Sequence, residues 1–253
     1  MRVTRIRPDL RFDRRLARIT WIGHSTVLME LDGVRLLTDP LLRRRVLHLR
    51  RVSGDAPEIG ELDAVLISHG HADHLDAGSL EHLDVARVIA PPGVALRVHG
   101  WADEVVELGL GEELQVGAVR VTATEAEHGG GAVGYLVNGS ARIYFAGDTD
   151  LFDGMRELAP ELDVALLPIG GWGPRVPAGH LDPLRAAQAL ELLRPRIAIP
   201  IHWGTYRRIG LSRDESAPAK QFAELAAQHA PDVDVRVLPV GGSLEVPLEA
   251  CVR

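Results

Sequence analysis

Cysteine is almost missing from this 253-residue chain: Cys251, beside the C-terminus, is the only one. One thiol excludes an internal disulfide framework and an internal thiolate metal cluster, and it suits a reducing, cytoplasmic setting. Lysine is just as scarce, since Lys220 is the single lysine among 28 basic residues. No run of about 18 apolar residues is present to cross a membrane, and the arginine-rich N-terminus lacks the apolar core of a secretion signal. The formal charge of -7 argues against a nucleic-acid partner, because binding a phosphate backbone rests on clustered basic residues. Two arginine groups qualify that reading. Arg2, Arg5, Arg7, Arg11, Arg14, Arg15 and Arg18 form one, and Arg43, Arg44, Arg45, Arg50 and Arg51 form the other. Because the arginine preference runs through the whole chain, both are read as solvated surface.

What is present is enough apolar material, 46% of the residues, to bury a sizeable core. Neither a low-complexity linker nor a short repeat divides the chain, so residues 1–253 are expected to form a single domain. The opening reads as a strand and a hairpin, with residues 27–31 and 34–37 flanking the turn pair Asp32-Gly33. Residues 64–67 form a compact apolar run that stops at Ser68, as a buried strand does where it meets a polar loop. A helix is predicted over 76–83, a strand over 88–90 and a second helix from Pro91-Pro92 to about Gly100. Further strands are predicted over 119–123, 132–137 and 142–145, the last two joined at Asn138-Gly139. Beyond them come a helix near 152–158, a strand over 164–167, and a Gly- and Pro-rich loop over 168–179. Asp182 is a good N-cap with Pro183 at the first helical position, and the apolar run 197–201 leads straight into His202. Strands in both halves, separated by helices, point to an α+β sandwich of αββα type, with two mostly antiparallel sheets and helices outside.

The segment Ser68-His69-Gly70-His71-Ala72-Asp73-His74 puts three imidazoles and a carboxylate within six residues. Imidazole nitrogen and carboxylate oxygen are good ligands for zinc, manganese or iron, and a tight loop lets alternate side chains converge on an ion. A solvated turn would explain one or two histidines but not this many. His128, Asp148 and His202 also stand just past the ends of apolar strand-like runs, and strand ends at one rim can meet in space.

The order His-X-His-X-Asp-His, then a separate His, an Asp and a last His, resembles the metallo-β-lactamase superfamily over most of the chain. The resemblance implies one metal on His69, His71 and His128, a second on Asp73, His74 and His202, and Asp148 bridging them. Trp21-Ile22-Gly23-His24-Ser25-Thr26, Thr38-Asp39-Pro40, Gly147-Asp148-Thr149, His180-Leu181-Asp182-Pro183 and Ile201-His202-Trp203-Gly204-Thr205 resemble the branch containing ascorbate-6-phosphate lactonase and N-acyl phosphatidylethanolamine phospholipase D. The implied activity is hydrolysis of an ester-like bond in a small molecule, a phosphodiester or a lactone, by a hydroxide shared between two divalent ions, zinc before manganese or iron. Asp73 and His180 are the expected proton-handling groups, and His180 would face substrate.

Around this set, Asp39 is read either as a turn cap or as the acceptor that orients a metal-ligating imidazole. His24 is read either as locally hydrogen-bonded or as part of the site floor. Trp172, Trp203 and Tyr206 are read as pocket lining or plain packing, and His48, His82, His99 and His229 as surface residues. A flavodiiron-type reductase is disfavoured, because His71 stands where those proteins carry glutamate and no flavodoxin-like segment fits. A ribonuclease of the same superfamily is disfavoured by the acidic balance. A metal-binding or ligand-sensing module without turnover is the non-enzymatic alternative, and a homo-oligomer is compatible with the sequence.

Overall fold

Alternation of apolar side chains along the strands sets the architecture of the computed structural model, which describes residues 16–98, 100–158, 160–171, 176–212 and 214–247. Along Leu16–Gly23 the residues Ala17, Ile19 and Trp21 point into one core, and along Thr26–Leu31 the residues Val27, Met29 and Leu31 do the same. Leu28 and Leu37 point the other way, into a second core. In the C-terminal half, Ile143 and Phe145 face the first core while Tyr144 faces a third, and Ile197, Ile199 and Ile201 flank an outward Ala198. A strand with apolar residues on both faces must be covered twice. Two sheets therefore pack face to face, with helices and loops over their outer surfaces.

The first sheet has seven strands, in the order Glu104–Glu107, Arg87–Ala90, Ala64–Leu66, Val34–Thr38, Thr26–Leu31, Leu16–Gly23 and Ser243–Pro247. The second also has seven: Glu113–Val116, Val119–Glu125, Val133–Asn138, Arg142–Phe145, Val164–Pro168, Ile197–Ile201 and Asp234–Val235. The four-layer sandwich expected from the sequence is present, but the sheets are mixed rather than mostly antiparallel. Each has three antiparallel and three parallel pairings. Parallel neighbours need a crossover, and the segments between the parallel strands carry the helices Ala77–Leu80, Met155–Leu158, Pro183–Leu193 and Ala217–His229.

Local signals placed several elements closely. Asp32 and Gly33 adopt the positive φ of a tight hairpin turn. The Asp182 side chain accepts from the Arg185 amide at 2.9 Å and starts Pro183–Leu193. The second helix, expected to reach Gly100, is only the 3₁₀ turn Ala95–Arg97, and His99 lies outside the described residues. A three-stranded sheet of Arg45–Val46, Leu49–Arg51 and Tyr206–Arg208 gave no signal in the sequence. Its strands are two or three residues long, too short to show a period. No helix among the described residues is long and apolar enough to cross a membrane.

Candidate metal centre

Six strand ends and their loops converge at one rim. The loop 68–74 follows Ala64–Leu66, Asp148 follows Arg142–Phe145, His202 follows Ile197–Ile201, and His128 follows Val119–Glu125. His24 and Asp39 follow Leu16–Gly23 and Val34–Thr38. His24, Asp39 and His202 have φ of 54°, 32° and 61°. Such left-handed backbone is costly away from glycine and concentrates at functional sites. Gly147 has φ of 62°, and a Cβ there would lie 2.8 Å from the Ser68 Cβ and 3.1 Å from the Val133 carbonyl. Only glycine lets the chain carrying Asp148 run this close to the histidine loop.

Two groups of donors result. His69 Nε2 lies 2.9 Å from His71 Nδ1, which lies 3.3 Å from His128 Nε2. Ligands at about 2.0–2.1 Å from a tetrahedral ion are roughly 3.3 Å apart, so this triangle has the size of a metal site. In the second group Asp73 Oδ2 stands 3.7 Å from His74 Nε2 and 3.9 Å from His202 Nε2. Asp148 sits between the groups, 3.1 Å from His74 Nε2, 3.3 Å from His202 Nε2 and 3.9 Å from His69 Nε2. All seven residues expected as ligands thus meet at one place.

Whether these residues fit metal ions is decided by their other nitrogen atoms. His74 Nδ1 donates to Asp39 Oδ2 at 2.8 Å, His128 Nδ1 to the Gly179 carbonyl at 2.7 Å and His202 Nδ1 to the Gly170 carbonyl at 2.8 Å. His69 Nδ1 lies 2.9 Å from Ser68 Oγ, whose hydroxyl donates to Asp39 Oδ2 at 2.6 Å. Fixing the N–H on one side of each ring points a lone pair inward from the other. Three inward nitrogens crowd one another, and His74 Nε2, His202 Nε2 and Asp148 Oδ1 are buried without a hydrogen-bond partner. Buried polar atoms are normally paired. Cations between the rings would satisfy all of them, so the donor set fits a pair of metal ions.

Electrostatics add a proton to this account. Burial alone raises the Asp148 carboxyl, but the imidazoles of His202 and His74 and the hydrogen bond from His180 hold it well below the ordinary range. Burial likewise disfavours a charged His74, yet Asp148, Asp73 and Asp39 outweigh it and raise that imidazole well above 6.5. Burial pushes His69 down to about 2 and His202 down to about 3. Without metal, then, the shared proton rests on His74. That charge stabilises the fold fully below the ordinary histidine pKa, and the contribution fades as pH rises through the raised value. An incoming cation must displace the proton. Calorimetric zinc titration in buffers of differing ionisation enthalpy is expected to show about one proton released per chain near neutral pH. Affinity should strengthen with rising pH, and uptake without proton release would refute this charge assignment.

A cavity of about 370 Å³ opens onto the centre, lined on one side by Asp73, Asp148, His180 and His202 and on the other by Val46, Leu47, His48 and Leu49. His180 Nε2 donates to Asp148 at 3.3 Å and its Nδ1 faces the Ala178 carbonyl at 3.2 Å. Two sequence readings are sharpened here. His48 is exposed, as read from the sequence, and also lines the cavity, because it occupies the two-residue turn between Val46 and Leu49. Trp203 and Tyr206 are packing: Trp203 stacks on Trp21 with ring centroids 5.0 Å apart, and the Tyr206 hydroxyl donates to the Arg43 carbonyl at 2.6 Å. Trp172 lies outside the described residues. His82 is exposed as expected, while His229 is only half-exposed and pairs with Glu191.

His24 reaches further into the site than the sequence indicated. Its Nε2 lies 3.2 Å from Asp73 Oδ2, its ring is 3.9 Å from that of His202, and its carbonyl accepts from the His202 amide at 2.9 Å. Nothing in its own segment links it to residues 49 and 178 positions away; only the strand order brings them together. The carbonyls of Gly170 and Gly179 carry no sequence signal either, since any residue supplies one.

The family model for the beta-lactamase superfamily domain matches residues 34–203, a span holding every donor described above except His24. The chain belongs to the metallo-β-lactamase superfamily. Among similar proteins is a UPF0173 metal-dependent hydrolase of Methanopyrus kandleri, 35% identical over 245 residues that cover 90% of this chain and 99% of the relative. One from Opitutus terrae is 35% identical over 90% of this chain and 100% of its own. The crystal structure of an isothiocyanate hydrolase from Delia radicum gut bacteria shares the fold, with a TM-score of 0.72 at 18% identity over 91% of this chain and 99% of that one. So does CmlA, a diiron β-hydroxylase from Streptomyces venezuelae, with a TM-score of 0.70 at 22% identity over 92% of this chain and 54% of that one.

Proposed function

We propose that this protein is a dinuclear metal-dependent hydrolase of ester-like bonds in small molecules, with phosphodiesters or lactones as its substrate class. The observation that carries the reading is the set of inward, unpaired ring nitrogens around a buried carboxylate. His69, His71 and His128 would hold one ion, Asp73, His74 and His202 the other, and Asp148 would serve both. Zinc suits these donors first, with manganese and iron as alternatives. Bound divalent ions supply an acidified water and stabilise developing negative charge.

The chain's own groups complete the chemistry. His180 stands at the cavity wall with an imidazole raised above 6.5, because the burial that disfavours its charge is outweighed by its hydrogen bond to Asp148, the charge of that carboxylate and the Ala178 carbonyl acting together. It therefore holds a proton at Nε2 that a leaving oxygen can take. Asp73, anchored by His24, keeps a partly exposed carboxylate on the cavity side, where it orients and exchanges protons. Val46, Leu47 and Leu49 offer an apolar wall for the organic part of the substrate and exclude water from it. The branch resemblance at residues 21–26, 147–149 and 180–183 favours the two bond classes named. The single cysteine supports a cytoplasmic setting.

The test is metal analysis followed by a screen of lactones, phosphodiesters, thioesters and β-lactams. Bound metal with hydrolysis of either proposed class supports the reading, whereas bound metal with no hydrolysis of any class points to a ligand-sensing module. On the substrate that is found, His180→Gln is expected to keep its metal content and lose about 100-fold or more in kcat. An unchanged kcat would remove His180 from the proton path.

A further inference from the structure

The second arginine group, read from sequence as solvated surface, has an arrangement that surface solvation does not explain. In the three-stranded sheet Arg45 pairs directly with Arg50, and Arg50 directly with Arg207, so three arginines stand side by side across it. Like charges placed opposite one another weaken a sheet. The row faces a groove of about 910 Å³ on the molecular surface, which Arg44, Arg51, Asp55 and Glu215 also line. Those carboxylates are engaged: Asp55 pairs with Arg44, and Glu215 lies 3.8 Å from Arg207. Arg51 is buried and donates to the carbonyls of Ile22, Leu41 and Gly54. Arg45 and Arg50 are exposed and make no ion pair or side-chain hydrogen bond among the described residues. In a chain with a net charge of -7, a groove with five arginines against two carboxylates is a local reversal of sign.

We infer that this groove is a binding site for a soluble small molecule carrying two phosphate groups, held by Arg45, Arg50 and Arg207. Strands are about 4.8 Å apart, so the row extends over about 10 Å, more than one phosphate can span. Guanidinium groups match phosphate oxygens in pairs. The same hairpin turns its tip, Leu47 and His48, into the wall of the metal-centre cavity. Ligand bound to the row would brace that wall without touching the metal ligands.

Fructose 1,6-bisphosphate is a suitable probe, titrated calorimetrically into the metal-loaded protein at physiological salt, with fructose 6-phosphate alongside. Saturable binding of the bisphosphate is expected, at least about tenfold tighter than the monophosphate, as removal of a charge-assisted contact implies. An Arg45→Ala/Arg50→Ala variant should keep its metal content and lose at least about tenfold in affinity. Equal affinity in that variant, no binding to the parent protein, or equal binding of both sugars overturns the proposal. Capture by phosphatidylglycerol vesicles without bisphosphate binding would assign the row to a membrane surface and overturn it as well. Thermal melting gives an independent reading with Arg50→Thr. Its Tm should rise at low salt as repulsion is relieved, and the bisphosphate should no longer raise it to the full extent. A lower Tm or an undiminished ligand shift would contradict the inference.

Discussion

Asp148→Ala is expected to leave the protein folded but without its paired metal centre, and to lower hydrolysis by at least about 1,000-fold, a loss of roughly 4 kcal/mol in transition-state stabilisation. Asp148 lies within 4 Å of His69, His74 and His202, and so reaches both donor groups, and it also accepts a hydrogen bond from His180. Removing it leaves imidazoles facing one another around a hole, with Asp73 the one carboxylate left among the seven donors to offset two cations. Elemental analysis after gel filtration should find metal content well below two ions per chain, against two for the parent. His71→Ala should cost one ion and also activity, because it opens the triangle with His69 and His128 while sparing the buried group. Full metal loading together with full turnover in either variant would sink the assignment of these ligands.

Asp39→Ala touches no metal position, yet it is expected to weaken metal binding by about 10- to 100-fold. One buried carboxylate receives the Ser68 amide at 2.7 Å, the Ser68 hydroxyl at 2.6 Å and His74 Nδ1 at 2.8 Å. Through Ser68 it also fixes His69. Two rings, one from each donor group, thus take their orientation from a single side chain. The substitution strands three buried donors, at about 1–3 kcal/mol for each that stays unsatisfied. Some of that is offset, because burial outweighs the partners of Asp39 and raises its own carboxyl. Chelator competition would give the metal Kd, with Asp39→Asn falling between parent and alanine because one amide oxygen can still accept from His74. Identical metal affinity in all three proteins would reduce Asp39 to a turn cap.

Much of this centre was legible before any coordinates, for a physical reason. The candidate ligands stand where apolar runs stop, and a strand end is both a change of hydropathy and a fixed place at the rim. Ile197–Ile201 followed by His202, and Ala64–Leu66 shortly before His69, carry that signal within a few residues. What stayed hidden depends on partners far apart in the chain. The mixed sheets could not be read because Arg142–Phe145 and Val164–Pro168 look alike whether they pair parallel or antiparallel. The bond from His24 to Asp73 needs the strand order, and the cavity role of His48 needs a hairpin of two- and three-residue strands. The helix Ala217–His229 drew no expectation although Pro218 stands in its first turn.

The loop after Val164–Pro168 gives its Gly170 carbonyl to His202 and its Gly179 carbonyl to His128, and ends in His180. Gly171 and Pro177 of the same loop line the cavity. Whatever a bound molecule does to this segment is thereby transmitted to one imidazole of each donor group. On the proposed function, evolution that reshapes the loop for new substrates must retune cation affinity at the same time, so selectivity and metallation cannot drift independently.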